Sequence, residues 1–357
     1  MNKLNVAIIG QGRSGRDIHG RHFKSENNTQ FNVVAVVERD ETRRNRALEE
    51  YEGCEVFADY KELYGRKDID LVVNASFSNE HFSVTKDLLE NGFNVVVEKP
   101  FARNRFECDT LIKLAKDNNV TLAVFQQSLF APFFLKAKEI VASGKLGKIT
   151  QINVNYNNFA RRWDWQTSQA KMGGNIYNTG PHPIGYGLSL LDFDSETKVA
   201  FSKLDNVLSS GDADDFAKII LSAPNKPVVD IEISSNDAFA PSSKIKIMGT
   251  RGTCLVEFNK YNMKYIVDGE NPEQKLILES LKTDEGLPAY CKETLITHEE
   301  NEEFTGSAFD MGTKCFYEMM YSTLTTGAPL TIKPEYAAMI ISVIEQVHAE
   351  NPLPVKF

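Results

Sequence analysis

Over its first 126 residues the chain alternates short β-branched runs with longer amphipathic stretches, and few folds satisfy that pattern. Strands are predicted at Asn5 to Ile9, Asn32 to Glu38, Asp70 to Ala75, Asn94 to Val97 and Thr121 to Phe125. Most are apolar almost throughout, as strands covered on both faces must be. Between them, Glu41 to Tyr51, Glu80 to Asn91 and Arg105 to Asn118 place apolar residues three or four apart, the period of a helix. Such alternation needs crossover connections, and so a doubly wound parallel sheet with helices on both faces. One more amphipathic helix is predicted at Pro132 to Ser143.

After Gly144-Lys145-Leu146-Gly147 the character changes. Ile152, Val154 and Tyr156 share one strand face, and Phe216 to Leu221, Val228 to Ile233 and Ile245 to Met248 alternate in the same way. A large, mostly antiparallel open sheet is expected, with one face left free of helices and suited to pairing subunits into a homodimer or homotetramer. The charged stretch Gly269 to Glu303 reads as surface loops and edge strands. Helices around Phe309 to Thr325 and Glu335 to His348 close the chain and should pack back toward the first domain. At 357 residues the chain exceeds what a single core supports, roughly 250 to 300 residues. The expected division is 1–126, an α+β domain over 127–335, and a closing helix and tail over 336–357.

Composition narrows the function classes. The net charge of −9 opposes a phosphate backbone, so nucleic acid is not an expected partner. No apolar tract is long enough to span a bilayer, and the start, Met1-Asn2-Lys3-Leu4-Asn5, leads into too short an apolar run for a secretion signal, which predicts a cytoplasmic protein. The five cysteines are scattered without metal-binding or redox spacing and are expected to be reduced and structural; no metal site is expected.

Directly after the first strand stands Gly10-Gln11-Gly12-Arg13-Ser14-Gly15. In a strand-to-helix turn the first glycine allows the tight bend, the second lets a pyrophosphate approach the backbone, and the third lets helix and strand pack closely. The helix N-terminus then offers unpaired N–H groups to the anion. Alone such a turn is weak evidence, but the second strand ends in Glu38, where a dinucleotide fold places the carboxylate for the adenosine ribose. Gln11, Arg13, Ser14 and Glu38 thus join the glycines as cofactor candidates, with NAD favoured. Arg39, Arg43 and Arg44 follow, and a guanidinium there could instead take the 2′-phosphate of NADP, or simply form the solvated start of a helix.

Val97-Glu98-Lys99-Pro100 then ends a strand, and here the chain resembles the Gfo/Idh/MocA family of NAD(P)-dependent oxidoreductases, for which Glu-Lys-Pro at this place is a signature. The resemblance covers nearly the whole chain. Ser76-Phe77-Ser78-Asn79-Glu80-His81 is similar to the family's Thr-Pro-Asn-x-x-His turn, and Phe125-Gln126-Gln127 to its Tyr/Phe-x-Asn segment, although Ser128 and Leu129 stand where arginines usually follow. Met248-Gly249-Thr250-Arg251-Gly252 and Gly327-Ala328-Pro329 fit later family segments. The resemblance implies cofactor contacts at Ser76, Phe77, His81, Glu98 and Gln127.

Gly173-Gly174-Asn175-Ile176-Tyr177-Asn178-Thr179-Gly180-Pro181-His182 aligns with the family's Gly-Gly-x-x-x-Asp-x-Gly-x-His. It implies that Lys99 stabilises alkoxide charge, His182 moves the proton and Asn178 orients the substrate. A helical backbone would bring Asn178 and His182, four apart, to one face. Two aspartates common in the family are Asn178 and Gly185 here, and an amide cannot raise a histidine's basicity by charge. Upstream, Phe159-Ala160-Arg161-Arg162-Trp163-Asp164-Trp165-Gln166 holds both tryptophans. Arg162, Trp163 and Asn175 are candidate contacts to a polyhydroxylated ring; the loop could equally plug the domain interface, or hold the nicotinamide end through Arg162 and Trp163. The implied activity is hydride transfer between nicotinamide and a secondary hydroxyl of a sugar, inositol or related polyol. The alternatives are a redox-neutral, NAD-retaining glycoside-cleaving enzyme and a non-catalytic sensor of nucleotide or sugar.

Overall fold

A computed structural model describes residues 3–26 and 28–357. The secretion-signal reading begins on Met1 and Asn2, which lie outside the described residues. The first sheet comprises β1 (Leu4–Ile9), β2 (Phe31–Val37), β3 (Glu55–Phe57), β4 (Leu71–Asn74), β5 (Val95–Val97) and β6 (Leu122–Val124). Its strands run parallel in the order β3-β2-β1-β4-β5-β6. This is a Rossmann sheet, and the strand order reverses between β1 and β4, which opens a crevice beyond their carboxyl ends. Val6, Ala7, Ile8, Val72, Val73, Val95 and Val96 are wholly buried in it, and each of the larger side chains contributes about 1.5 kcal/mol or more. The edge strand β3 was not predicted, because three half-exposed residues behind Gly53 carry no readable period.

After β1 the chain winds as a wide π-helical segment over Arg13–Gly20 that continues into α1 (Arg21–Lys24). The crossover helices are α2 (Glu41–Glu50), α3 (His81–Glu90) and α4 (Arg105–Asp117), followed by α5 (Pro132–Ser143). Asp40 and Asn104 cap α2 and α4 by accepting backbone N–H bonds from Arg43 and Glu107, which satisfies otherwise orphaned donors. Gly144, at φ +70°, ends α5 in the left-handed region.

The second sheet is built from β7 (Ile149–Asn157), with α6 (Asn175–Asn178) and α7 (Pro181–Leu190) next in the chain. Then come β8 (Lys198–Asp205), β9 (Phe216–Ser222), β10 (Val228–Ser234), β11 (Ile245–Gly249), β12 (Gly252–Val256) and β13 (Lys260–Tyr265). A small hairpin, β14 (Leu281–Lys282) and β15 (Pro288–Ala289), precedes the edge strand β16 (His298–Glu303). The eight-stranded order is β16-β13-β12-β11-β7-β10-β9-β8, antiparallel except for the β7–β10 pair. Ile152, Val154, Ile219, Val229, Ile231 and Ile247 are buried on one face. Gly187 of α7 brings that helix close, since a Cβ there would press on Val229 and Ile231. The opposite face keeps Asn153, Lys218, Asp230 and Glu232 half-exposed, with Lys218 paired to Asp230 at 2.7 Å and to Glu232 at 3.0 Å. β8, β12 and β13 were not predicted; β8 shows no regular alternation, whereas β13 alternates polar and apolar residues and was overlooked.

The chain closes with α8 (Ala308–Thr326) and α9 (Pro334–Glu350), and both return to the first sheet's layer. Lys116 of α4 pairs with Glu335 at 3.0 Å, and Arg21 pairs with Asp310 at 3.0 Å. All five cysteines are free; Cys54, Cys108 and Cys254 are buried, whereas Cys291 is exposed and so does not serve packing as expected. Among the described residues no helix is long and apolar enough to cross a membrane.

Candidate functional site

The glycine-rich turn sits at the switch point. Gly10, at φ +92°, donates its N–H to Val37 at 2.8 Å, and a Cβ on it would strike the Ala75 carbonyl beyond β4. A Cβ on Gly15 would collide with the Gly10 carbonyl, so the third glycine serves close packing. Gly12 differs: nothing lies within 4 Å of where its Cβ would be, and it faces an open cleft of about 1020 Å³.

Most candidates converge on that cleft. Gly10, Gly12, Arg13, Ser14, Glu38, Arg39, Ser76, Phe77, His81, Glu98, Lys99, Gln127, Arg162, Asn178 and His182 all line it. Gln11 and Gly15 do not; Gln11 is buried and donates its backbone N–H to Glu38 Oε2 at 2.8 Å. That bond, with one from the Asp40 N–H at 3.1 Å, fixes the Glu38 carboxylate at the end of β2. Of the neighbouring arginines, Arg39 pairs with Glu80 at 3.2 Å and Arg44 donates to the carbonyls of Glu38 and Arg39, while Arg43 approaches Glu38 at 3.6 Å. A fixed carboxylate at this rim suits ribose hydroxyls and opposes an added phosphate.

His81 is a strut. Its buried ring lies between the Pro100 carbonyl at 2.7 Å and the Ser76 carbonyl at 3.3 Å, and burial holds its pKa below the usual value. Beside it, the buried oxygens Ser76 Oγ and Gln127 Oε1 have no hydrogen-bond partner among the described residues. Unsatisfied buried polar atoms are rare, and these two belong to residues lining a cleft whose glycine leaves room for a ligand's backbone approach. The residues present therefore fit a dinucleotide.

At the inner end of the cleft, Lys99 follows β5 and its peptide bond to Pro100 is cis. Lys99 Nζ donates to the Asn178 carbonyl at 2.8 Å, crossing from the first domain to the second. His182 stands at the start of α7, with Nδ1 and Ser128 Oγ 2.8 Å apart. Asn178 and His182 do not share one helix as expected: α6 ends at Asn178, Thr179 and Gly180 break the winding, and α7 starts at Pro181, yet both side chains line the cleft. Burial, then the Lys99 charge, lowers the His182 pKa to about 3. Lys99 is lowered from its ordinary value by burial; Glu98 opposes that shift, and Arg13 and Arg162 add to it.

Gly185 lies at a close contact. A Cβ there would lie 3.1 Å from Ile340 Cδ1 and 3.4 Å from Gln126 Nε2, so a larger residue would require the ends of these two side chains to shift. Two proposed contacts are displaced. Trp163 is 81% exposed and lies outside the cleft lining, where Trp165 stands instead, at 5.2 Å from the Phe77 ring across the mouth. The Asp164 side chain caps the turn at Trp165–Thr167, which points Trp165 rather than Trp163 inward. Asn175 spends its amide on the Asp215 carbonyl at 2.7 Å and Ser235 Oγ at 2.9 Å, as scaffold beneath α6. Sequence reasoning missed Trp165, Ser128 and Gln166, which donates to Asn178 Oδ1 at 3.2 Å; only their neighbourhood to the motifs signalled them. It also gave no role to His19, which is buried at the back of the site.

The buried histidines set an acid limit on stability. His22 and His348 are each lowered to about 4 by burial, and His182 to about 3. The unfolded chain protonates these rings near 6.5, so it binds more protons than the folded chain below that pH. Their contribution is complete above pH 6.5 and is lost as pH falls toward 4, by at most about 1.4 kcal/mol per pH unit for each ring. Urea unfolding should therefore show a midpoint that falls from pH 7 to pH 5; an unchanged or rising midpoint contradicts the neutral burial of these rings.

A Rossmann domain joined to an open-sheet domain, with a lysine and a histidine meeting at their junction, defines a nicotinamide-dependent oxidoreductase class. Residues 4–126 match the oxidoreductase family with NAD-binding Rossmann fold, and residues 134–255 match the GFO/IDH/MocA C-terminal domain. The chain belongs to the Gfo/Idh/MocA oxidoreductase family. It is 25% identical over 353 residues to the uncharacterised oxidoreductase YhhX of Escherichia coli, covering 96% of this chain and 95% of that one. It is 26% identical to inositol 2-dehydrogenase 2 of Saccharopolyspora erythraea, over 70% of this chain and 72% of that one. The crystal structure of an NAD-binding protein from Listeria innocua superposes with a TM-score of 0.79 at 19% identity, covering 98% of each chain, which shows the shared fold.

Proposed function

We propose that the protein is an NAD(P)-dependent dehydrogenase or reductase acting on a secondary hydroxyl, or the matching ketone, of a sugar, inositol or related polyol. The observation that carries this reading is the meeting of Lys99 and His182, from different domains, in one cleft beside the glycine-rich turn. The likeness to an inositol dehydrogenase supports the substrate class.

Gly12, Ser76, Glu38 and Gln127 would hold the dinucleotide, which when bound supplies the hydride acceptor or donor. Lys99 then stabilises the alkoxide oxygen, since an ammonium in a cleft of low dielectric acts far more strongly than in water. His182 is neutral at physiological pH and can accept the hydroxyl proton, with Ser128 holding its other nitrogen. Asn178 has its carbonyl oxygen on Lys99 and its Oδ1 on Gln166, which leaves the amide N–H₂ to donate to a substrate hydroxyl. Trp165 and Arg162 offer a ring face and a donor fork at the mouth. The subunit is further proposed to work in the cytoplasm as a homodimer or homotetramer paired through the polar face of the second sheet.

Fluorescence titration with NAD and NADP, followed by absorbance assays with inositols, hexoses and their keto forms, tests the reading. Saturable binding of NAD and turnover of at least one polyol are expected. Dinucleotide binding without turnover across the panel would overturn it in favour of the sensor reading, which the uncharged Asn178 favours.

A further inference from the structure

Behind Lys99 lies a chain of buried polar groups that the proposed reaction does not use. Glu98 is 3% exposed, and its Oε2 accepts the Lys99 backbone N–H at 3.0 Å. Its Oε1 lies 3.1 Å from His19 Nε2, and His19 Nδ1 lies 2.6 Å from the Tyr317 hydroxyl. The three side chains come from the helix after the glycine-rich turn, from the end of β5 and from α8, so both domains meet in this chain.

The directions of the bonds follow from the partners. Tyr317 is wholly buried among the rings of Phe23, Phe31, Phe125 and Phe316, and among the described residues His19 Nδ1 is its hydroxyl's one hydrogen-bond partner. Burial keeps that phenol protonated, so it donates to Nδ1, because an unpaired buried O–H is costly. With Nδ1 accepting, the ring's proton sits on Nε2 and is donated to Glu98 Oε1. The carboxylate thus receives one donor on each oxygen. Burial alone would raise its pKa, but the His19 hydrogen bond and the neighbouring charges bring it below the ordinary value.

We propose that Tyr317 and His19 are positioning residues that hold Glu98 as a buried carboxylate on the Lys99 backbone N–H, and that this fixed negative charge, lining the same cleft as Lys99, stabilises the lysine's ammonium. The ammonium needs such support. Arg13 faces it from the glycine-rich turn and Arg162 from the loop before α6, while His182 on α7 is neutral and Asn178 supplies only a carbonyl. Asp164 is engaged by Arg162 at 2.6 Å, whereas Glu98 lines the cleft next to Lys99 and pairs with no lysine or arginine among the described residues.

The inference takes its interest from the proposed role of Lys99, yet it can be read without turnover. Competitive acetylation of the full-length protein with acetic anhydride, quantified by mass spectrometry from neutral to alkaline pH without cofactor, gives the titration midpoint of Lys99. The Glu98→Gln variant is expected to shift that midpoint down by about one to three pH units. Tyr317→Phe keeps the aromatic packing and frees the His19 tautomer, and should shift the midpoint the same way by less. A midpoint equal to wild type in either folded variant overturns the proposal, and Tyr317→Phe carries the test alone if Glu98→Gln does not fold. A shifted midpoint in a protein that turns over no polyol supports this arrangement while the dehydrogenase reading fails. Turnover with unshifted midpoints sinks the arrangement and leaves that reading intact.

Discussion

Lys99→Met is expected to lower kcat by about a hundred- to thousand-fold while leaving the dissociation constant for NAD within a few-fold of wild type. Methionine keeps most of the stem's length and packing but removes the charge. The lost term is the stabilisation of an oxyanion by a donor already in place, and removal of one such donor costs about 2.7 to 4 kcal/mol in an enclosed site. Cofactor affinity is spared because the groups proposed to hold the dinucleotide lie on the glycine-rich turn, at the end of β2 and on the turns after β4 and β6. The lysine's own bond runs to the Asn178 carbonyl of the other domain, so that carbonyl loses one donor and the domain contact weakens slightly. Stopped-flow turnover beside equilibrium NAD titration separates the effects. A kcat within threefold of wild type would remove Lys99 from the chemistry, whatever the binding data show.

How much of this was readable from the chain depends on how local the signal is. The parallel sheet was legible because Val6 to Ile9, Leu71 to Val73 and Val95 to Val97 must be apolar on both faces, and the glycine spacing marks where a strand must bend. Lys99 and His182 were legible only as members of motifs, since nothing in their own neighbours says that residues so far apart in sequence share a cleft. What stayed hidden is set by tertiary placement. The choice of Trp165 over Trp163 depends on a single turn capped by Asp164, and a one-residue difference there exchanges solvent for cleft. His19 looked like any histidine in a polar helix, and only α8, folding back from about 300 residues later, gives it Tyr317 as a partner. Gly185 looked like a missing catalytic group, and only the fold shows that Ile340 and Gln126 crowd the space a side chain there would enter.

The glycines of the turn give the second large effect, because two substitutions of the same kind should fail in opposite ways. Gly12 has φ −75° and ψ −162°, a conformation open to any residue, and a Cβ there meets nothing within 4 Å. Neither strain nor packing in the protein requires glycine at that position; only the approach of a ligand does. Gly12→Ala should therefore unfold at the wild-type urea concentration and yet bind NAD at least about tenfold more weakly, a loss of about 1.4 kcal/mol. Gly15 is the reverse case. Its Cβ would run into the Gly10 carbonyl, a backbone atom that cannot turn aside without moving β1 or the helix that follows. Gly15→Ala should cost about 1 to 3 kcal/mol of stability, and should weaken NAD binding only as a consequence of displacing the turn. Urea unfolding and calorimetric NAD titration on both variants decide the matter. If Gly12→Ala binds NAD as tightly as wild type, the open side of the turn is not where the pyrophosphate lies; if Gly15→Ala is as stable as wild type, the close seating of that helix on β1 is not what holds the turn in shape.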